Sequence, residues 1–390
     1  MKKLAIITTH PIQYNAPWFR LLAERRKISI RVFYTWGQLE TESKYDPGFG
    51  KTIKWDIPVL DGYEYTFVKN VSKDPGSHHY RGIDNPSLIP EIEQWRPDAL
   101  LVIGWNFKSH IRCIRHFHRR LPVFFRGDST LLDDEYENAL KQLAKKIWLR
   151  WLYKNIDTVF YTGSASKAYF QYYGVAENKL AFAPHAIDNE RFALAKGMRR
   201  KEWGIPADAF VFLFAGKLEP KKDPSLLLEA FREMNDARSF LLIVGNGKLE
   251  STLKERAQSM PADTANRIKF AGFQNQQAMP GVYSMADVFV LPSKGPGETW
   301  GLSVNEAMAC SRPVLVSDQC GCSADLVEDS VNGFVFHSGD TNDLVAKMKK
   351  LITDCQVQKM GEASFRKIQD WSFKKICMAI EHRLLHQHTI

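Results

Sequence analysis

The chain is predicted to be an α/β protein with two doubly wound parallel sheets, and three observations predict it. Short apolar runs alternate with helical stretches through both halves, the pattern of strands buried on both faces between crossover helices. Several of these runs end at a glycine, a common exit from a strand into a loop. The chain has 390 residues, 44% hydrophobic and 25% charged, enough for two cores and without a signature of disorder.

Taken in order, Leu4–Thr8 reads as a first buried strand after Met1-Lys2-Lys3, too short an apolar segment for a signal peptide. Ile28–Tyr34, Ala99–Ile103, Val123–Phe125 and Thr158–Tyr161 continue the first sheet, with Gly104-Trp105-Asn106 as a strand-to-loop exit. From Pro184 to about Gly204 the sequence is charged and has no strong period, which marks a linker. Phe210–Ala215, Phe240–Val244, Ile268–Ala271, Val288–Leu291 and Val314–Val316 form the second sheet. Trp371 to Leu385 has the period of a helix that could return to brace the first domain. The expected division is therefore 1–190, 191–370 and a crossover helix at 371–390. The two Rossmann-like domains would face a central cleft at the carboxyl ends of their strands, where open α/β sheets bind ligands.

Composition narrows the function classes. No apolar run approaches the ~18 residues of a spanning helix. Six cysteines form no regular framework, and Cys320-Gly321-Cys322 is too tight for a CxxC pair, so a reduced cytoplasmic protein without a structural metal is expected. The net charge of +9 is uneven: residues 1–200 hold 31 Lys and Arg against 21 Asp and Glu, the remainder 22 against 23. The first half is therefore expected to face something anionic: phospholipid, a phosphate-bearing substrate or nucleic acid. No RNP, KH, zinc-finger or helix-turn-helix signal supports the last of these.

The most informative stretch follows the strand at Val288–Leu291: Gly297-Glu298-Thr299-Trp300-Gly301-Leu302-Ser303-Val304-Asn305-Glu306. A strand, a glycine-bearing loop and a helix present backbone N–H groups to an anion at a helix N-terminus. Glu298 falls on the loop, and Glu306 about two turns into the helix, where a carboxylate can accept hydrogen bonds from a ribose diol. Two glutamates eight positions apart are also commonly just solvated charges, so the motif needs support. Three upstream strands offer it. Phe210–Ala215 exits through Gly216 to Lys217 and Lys222, which could reach a pyrophosphate or form a plain solvated loop. Leu241–Val244 ends in Gly245-Asn246-Gly247, a GxG that alone is only a tight turn. Ile268–Ala271 leads to Phe273, which could hold a flat base or belong to the core.

In this order the segments resemble the donor half of the retaining GT-B glycosyltransferases of the large family 4 group, including its EX7E motif. The resemblance runs over roughly residues 158–340. It takes in Gly174-Val175, Pro184 to Asp188, Gly216-Lys217 through Lys222, Gly245 to Gly247, Ala286 to Ser293, Glu298 to Glu306, Arg312-Pro313-Val314 and Val331-Asn332-Gly333. It implies the GT-B fold and a sugar transfer from a UDP- or GDP-linked donor to a saccharide or glycolipid acceptor in surface polysaccharide or glycoconjugate assembly. By position, Lys217 and Lys222 would neutralise the diphosphate, and Gly301 and Leu302 would offer backbone amides. Glu306 would bind the ribose, Glu298 would touch the transferred sugar or the phosphate, and Phe273 would hold the base. Gly216, Gly245, Gly247, Thr299, Trp300 and Ser303 would complete the donor site. Such enzymes retain the anomeric configuration by a front-face route and need no metal or other cofactor, lysines and a helix dipole supplying the positive charge. The chain departs from the family pattern at Lys217, where arginine is commoner, at Asp223 and Ser311, where glycine is usual, and at Trp300, more often phenylalanine. A rival on the same architecture is a nucleotide-sugar 2-epimerase, which would need no acceptor.

The first half says less. Thr9-His10-Pro11-Ile12-Gln13-Tyr14-Asn15 follows the first strand and is similar to an HPIQY-type opening in a subset of these transferases. His10, Gln13, Tyr14 and Asn15 are its candidate acceptor-side residues, with a turn fixed by Pro11 as the structural alternative. Many relatives place a sugar-contacting histidine near 126–129. Its absence here leaves Arg126 or Asp128 as substitutes. Leu140 to Lys154 is basic, aromatic and helical in period, which fits a membrane-surface helix but better an ordinary amphipathic helix packing Leu143, Ile147 and Trp151 inward. The first reading gives a peripheral protein on the cytoplasmic face of an anionic membrane.

Overall fold

The computed structural model describes residues 1–37, 44–46, 48–136, 138–194, 200–353 and 356–386. The chain divides into two compact units, one of residues 1–44, 57–185 and 373–390, the other of residues 45–56 and 186–372. Both are built on wholly parallel sheets.

In the first unit lie β1 (Lys3–Thr8) and β2 (Ser29–Tyr34). Two short strands, β3 (Lys44–Asp46) and β4 (Lys51–Ile53), pair as a separate two-stranded sheet. The first sheet continues with β5 (Glu64–Phe67), β6 (Ala99–Ile103), β7 (Val123–Arg126), β8 (Thr158–Tyr161) and β9 (Leu180–Phe182), in the order β5-β2-β1-β6-β7-β8-β9. The second sheet comprises β10 (Phe210–Ala215), β11 (Ser239–Val244), β12 (Ile268–Ala271), β13 (Val288–Leu291), β14 (Val314–Ser317) and β15 (Gly333–Phe336), ordered β12-β11-β10-β13-β14-β15. Each order starts in mid-sheet, runs outward to one edge, then returns to build the other side. The strand order therefore reverses once in each sheet, beside β1 and β6 and beside β10 and β13.

The continuous apolar runs became central strands because both faces are covered. Leu4 to Ile7, Leu213 and Val288 to Leu291 are fully excluded from solvent. The strands not anticipated are β5, β9 and β15 and the small pair. β5 exposes Glu64 and Tyr65 at the sheet edge, so it lacks an apolar run.

The helix Phe373–His386 belongs to the first unit and packs on the helix Ala16–Glu24. Ile376, Ile380 and Leu384 are buried along it. Arg25 donates from both Nε and a terminal nitrogen to the Glu381 carboxylate, each at 2.7 Å, and the Cys377 thiol donates to the Trp18 carbonyl. The bidentate hydrogen bond holds the Arg25 guanidinium above its ordinary pKa.

The helix Ala139–Lys154 corrects an expectation. It buries Leu149, Leu152 and Tyr153, while Leu143, Ile147 and Trp151, expected to face inward, are 57%, 65% and 38% exposed. Both faces of this helix carry apolar residues, and the first unit's core takes the smaller set.

Replacing Glu381 with Ala strips Arg25 of its partner in a partly buried site and should cost about 2 kcal/mol, read as a lower urea midpoint. An unchanged midpoint would mean that the apolar contacts alone hold the helix.

Candidate functional site

The second unit's switch point gathers charge. Lys222 lies in the turn after β10 and Glu298 in the loop after β13, and their side chains form an ion pair with little solvent exposure. Ser293 Oγ donates to the same carboxylate at 2.9 Å. Burial alone would lower the Lys222 pKa, but the charge and hydrogen bond of Glu298 outweigh it and hold the ammonium above its ordinary range. The loop's backbone is clamped from the loop after the next strand: Gly321 N–H donates to the Glu298 carbonyl at 3.0 Å and Cys322 N–H to the Trp300 carbonyl at 3.1 Å. The tight Cys320-Gly321-Cys322 motif thus serves as a backbone clamp. Both its thiols are buried, and burial raises their pKa values, that of Cys320 to about 12.

The helix Leu302–Ala309 starts from Gly301, which has φ 101°. A side chain there would also meet Leu291 Cδ2 at 2.8 Å, so glycine is required both by conformation and by space. Glu306 sits one turn into this helix, closer to its start than expected, and is buried. It accepts a hydrogen bond from Tyr283 Oη at 2.8 Å. Thr299, Leu302 and Ser303 are half-buried around the helix start. Trp300 departs from its expected role: it is 4% exposed, and its indole N–H donates to Asn305 Oδ1 at 2.8 Å, so it braces the turn.

The glycines after β10 and β11 allow close approach of backbones. Gly245, at φ 133°, abuts the Gly216 carbonyl, which an added Cβ would meet at 2.0 Å. Gly247 meets Leu218 in the same way. Asn246 between them accepts a hydrogen bond from the Phe273 amide at 2.6 Å, fixing the exit of β12. Phe273 is half-buried, its ring edge-on to Phe49 at 5.0 Å, and the Lys217 ammonium lies over the Phe49 ring at 5.0 Å. Phe49 was not among the sequence candidates. It belongs to the segment 45–56, which joins this unit through Asn275 Nδ2 donating to the Lys54 carbonyl at 2.6 Å and the Gln277 amide donating to Asp56. Nothing in its local sequence signals this placement.

In the first unit, His10 stands edge-on to Trp36 at 5.2 Å, with its Nδ1 3.0 Å from Thr9 Oγ1. Gln13 and Tyr14 are half-buried in the turn that precedes the helix Ala16–Glu24. Asn15 accepts a hydrogen bond from the Trp18 indole at 3.2 Å, a structural use. Arg126 is 5% exposed and donates to the Pro184 carbonyl at 2.8 Å; burial lowers its pKa to about 10. It therefore supports the bend at 184–185 and does not stand open for a substrate. Asp128 remains accessible and pairs with His185, Nε2 to Oδ2 at 3.3 Å. His185 was missed because its partner lies 57 positions away. Burial lowers the His185 pKa against the opposing pull of Asp128.

Among the described residues, the one group of three metal-binding side chains lies elsewhere, on the first unit, and none gathers at the Lys222–Glu298 site.

Residues 196–367 match the family model described as Glycosyl transferases group 1. The chain is 26% identical over 309 residues to the sulfoquinovosyl transferase SQD2 of Arabidopsis thaliana, a match covering 74% of this chain and 56% of the relative. It is 29% identical over 197 residues to an Escherichia coli UDP-Gal:alpha-D-GlcNAc-diphosphoundecaprenol alpha-1,3-galactosyltransferase, covering 49% of each. These matches span about half the length of the curated relatives. Anabaena HepE, solved with UDP and glucose, is similar in structure, with a TM-score of 0.70, 19% identity, and coverage of 99% of this chain and 100% of that one. The fold is GT-B, and the enzyme class to which the matches point is a glycosyltransferase.

One group near the first unit's carboxyl edge gives a pH signature. His110 is fully buried, with Nδ1 2.8 Å from the Gly104 carbonyl and Nε2 3.0 Å from Thr35 Oγ1, and burial lowers its pKa to about 4. The unfolded chain binds this proton near the ordinary value of 6.5, so the unfolded state gains protons first as pH falls. Stability should drop between about pH 6.5 and 4, by about 3 kcal/mol in all. Urea titrations at pH 7 and pH 5 should show a smaller difference for His110→Gln; an equal difference would remove His110 as the cause.

Proposed function

We propose that the chain is a retaining glycosyltransferase that moves a sugar from a nucleoside diphosphate donor, UDP- or GDP-linked, to a saccharide or lipid-linked acceptor. The observation that carries this reading is the Lys222–Glu298 pair at the second sheet's switch point, beside a glycine-started helix that holds the buried Glu306. Lys222 and Lys217 would meet the diphosphate and stabilise it as leaving group, with the Gly301 and Leu302 amides adding the helix-start dipole. Glu306, oriented by Tyr283, would accept hydrogen bonds from the ribose. Glu298 would be released from Lys222 toward the transferred sugar, and Phe273, backed by Phe49, would face the base. Lysine charge in place of a cation supports a metal-independent, front-face route in which the leaving phosphate takes the acceptor's proton. On the first unit, Asp128 and its partner His185 are the sugar-facing candidates, and His10, Gln13 and Tyr14 the acceptor-side ones. Because the relatives reported above are named as transferases, and none as an epimerase, the epimerase reading is set aside.

The E. coli relative's named acceptor is carried on diphosphoundecaprenol. This, together with the helix Ala139–Lys154, supports work at the cytoplasmic face of a membrane in surface polysaccharide or glycolipid assembly. Leu140, Leu143, Ile147, Trp148 and Trp151 are exposed on a helix whose charged residues are all basic: Lys141, Lys145, Lys146, Arg150 and Lys154. Apolar side chains that enter the interface and cations worth about 1 kcal/mol each near anionic headgroups together suit an acidic lipid surface. Among the described residues no helix is long and apolar enough to cross a membrane.

Calorimetric titration with UDP, GDP and ADP in the presence of EDTA should show micromolar binding of one nucleotide, weakened at least about tenfold, or 1.4 kcal/mol, in Lys222→Ala and in Glu306→Ala. Binding to none of the three, or equal binding by folded variants, would defeat the site assignment. Separately, the protein should sediment with vesicles containing roughly one-third anionic lipid and not with neutral ones. The double variant Ile147→Glu/Trp151→Glu should stay in the supernatant while still binding nucleotide. Sedimentation unaffected by that change would exclude the helix as the membrane contact.

A further inference from the structure

We propose that Asp74, His78 and His79 form a binding site for a divalent transition-metal ion of the zinc class, independent of the proposed transfer chemistry. The three lie on the first-unit segment between β5 and the helix Leu88–Trp95, in the sequence Asp74-Pro75-Gly76-Ser77-His78-His79. One ligand atom from each falls within 4.8 Å of the other two. His78 Nε2 lies 3.4 Å from Asp74 Oδ2 and His79 Nε2 lies 3.2 Å from the same oxygen. Tetrahedral coordination with bonds of 2.0–2.1 Å requires ligand atoms about 3.3 Å apart, so these two separations match two edges of a zinc polyhedron, with the two imidazoles within 4.8 Å of each other. Two imidazoles and a carboxylate are the donor set of zinc and its neighbours, not of calcium or magnesium.

His79 Nε2 also lies 3.1 Å from the Asp74 carbonyl, a contact that an ion at this nitrogen would replace, and the rest of the segment's shape is held by bonds that do not involve the imidazole rings. Gly76 N–H donates to the Gly82 carbonyl at 3.1 Å, and Val71 N–H to the Asp84 carbonyl at 2.8 Å. Asn70 donates to the Gly82 carbonyl at 2.9 Å and accepts from the amides of Ser72 and Asp84. Ser72 Oγ donates to the Arg81 carbonyl at 2.7 Å. Gly82 has no room for a side chain, since a Cβ would meet the Gly76 carbonyl at 2.1 Å. A loop ordered in advance gives up little entropy when it takes up an ion. The side chains of Asp74 and His78 are 72% and 63% exposed and that of His79 34%, which leaves the fourth position open to water or to a ligand from outside.

The segment ends at Asn85, whose amide donates to the carbonyls of Thr35 and Val68 just beyond β2 and β5. An ion at Asp74–His79 therefore ties down a loop anchored at the carboxyl edge of the first sheet, and its occupancy should register in the unit's thermal stability.

Zinc sulfate titrated calorimetrically into the chelator-stripped protein should bind one equivalent saturably. Binding should weaken at least tenfold in His78→Ala/His79→Ala and also weaken in Asp74→Asn. Zinc should raise the melting temperature of the wild type and leave that of the double variant unmoved. The stacked pair His382 and His386, with ring centroids 4.7 Å apart on the C-terminal helix, is the competing ligand set. His382→Ala/His386→Ala should leave the affinity unchanged. Failure to bind zinc, binding that survives in His78→Ala/His79→Ala, or binding lost only in the His382/His386 variant would each overturn the proposal. Nucleotide binding in the presence of EDTA reports on the other site alone, so failure at either site is recognisable without the other.

Discussion

The ion pair between Lys222 and Glu298 joins the two loops that leave the second sheet on either side of its reversal, and the surrounding geometry serves to hold it. Ser293 donates to its carboxylate, Gly321 fixes the glutamate's carbonyl, and the Gly301 turn follows at once. A buried charge with a partner is tolerable, and one without is costly, so neither member can be removed without penalty to the other. On the proposed reading this is what makes the site responsive: an incoming diphosphate offers Lys222 a second anion, and Glu298 can turn to another donor. The pair is then a resting state whose exchange of partners accompanies substrate binding.

The parts of the fold that were legible in the sequence are those in which one physical requirement dominates. Strands buried on both faces need unbroken apolar runs, and β1, β6, β10 and β13 have them. The order of glycines, lysines and glutamates located the switch-point loops because each residue type there has a backbone or charge role. Contacts set by distant chain segments were not legible. Phe49 reaches Phe273 and Lys217 from a segment with no pattern of its own, and His185 finds Asp128 across 57 positions. The helix Ala139–Lys154 failed for a different reason. Its period shows that it is a helix, but with apolar residues on both faces the period cannot say which face the core takes.

The departures from the family pattern acquire a physical meaning. Asp223 and Ser311, read as replacements for usual glycines, have φ of 43° and 56°, in the left-handed region that glycine enters without strain. Asp223 pairs with Lys294 at 3.1 Å, and Ser311 lies where its carbonyl crowds Gly361, which cannot bear a Cβ. The backbone shape is kept while the residue that most easily adopts it is not. Trp300, in turn, has an indole N–H that phenylalanine lacks and uses it on Asn305.

The assignment of residues 45–56 to the second unit and 373–390 to the first has a consequence for how the chain matures. The first unit is interrupted twice in sequence, and its bracing helix emerges from the ribosome only after the whole of the second unit. Vectorial folding therefore cannot finish the amino-terminal unit first. The second unit must condense as an insertion inside an unfinished host, and Trp18 and Arg25 stay without their partners Cys377 and Glu381 until the last helix is made. A ribosome stalled anywhere before that point would display an apolar stripe on a nearly complete sheet, the kind of surface that chaperones engage.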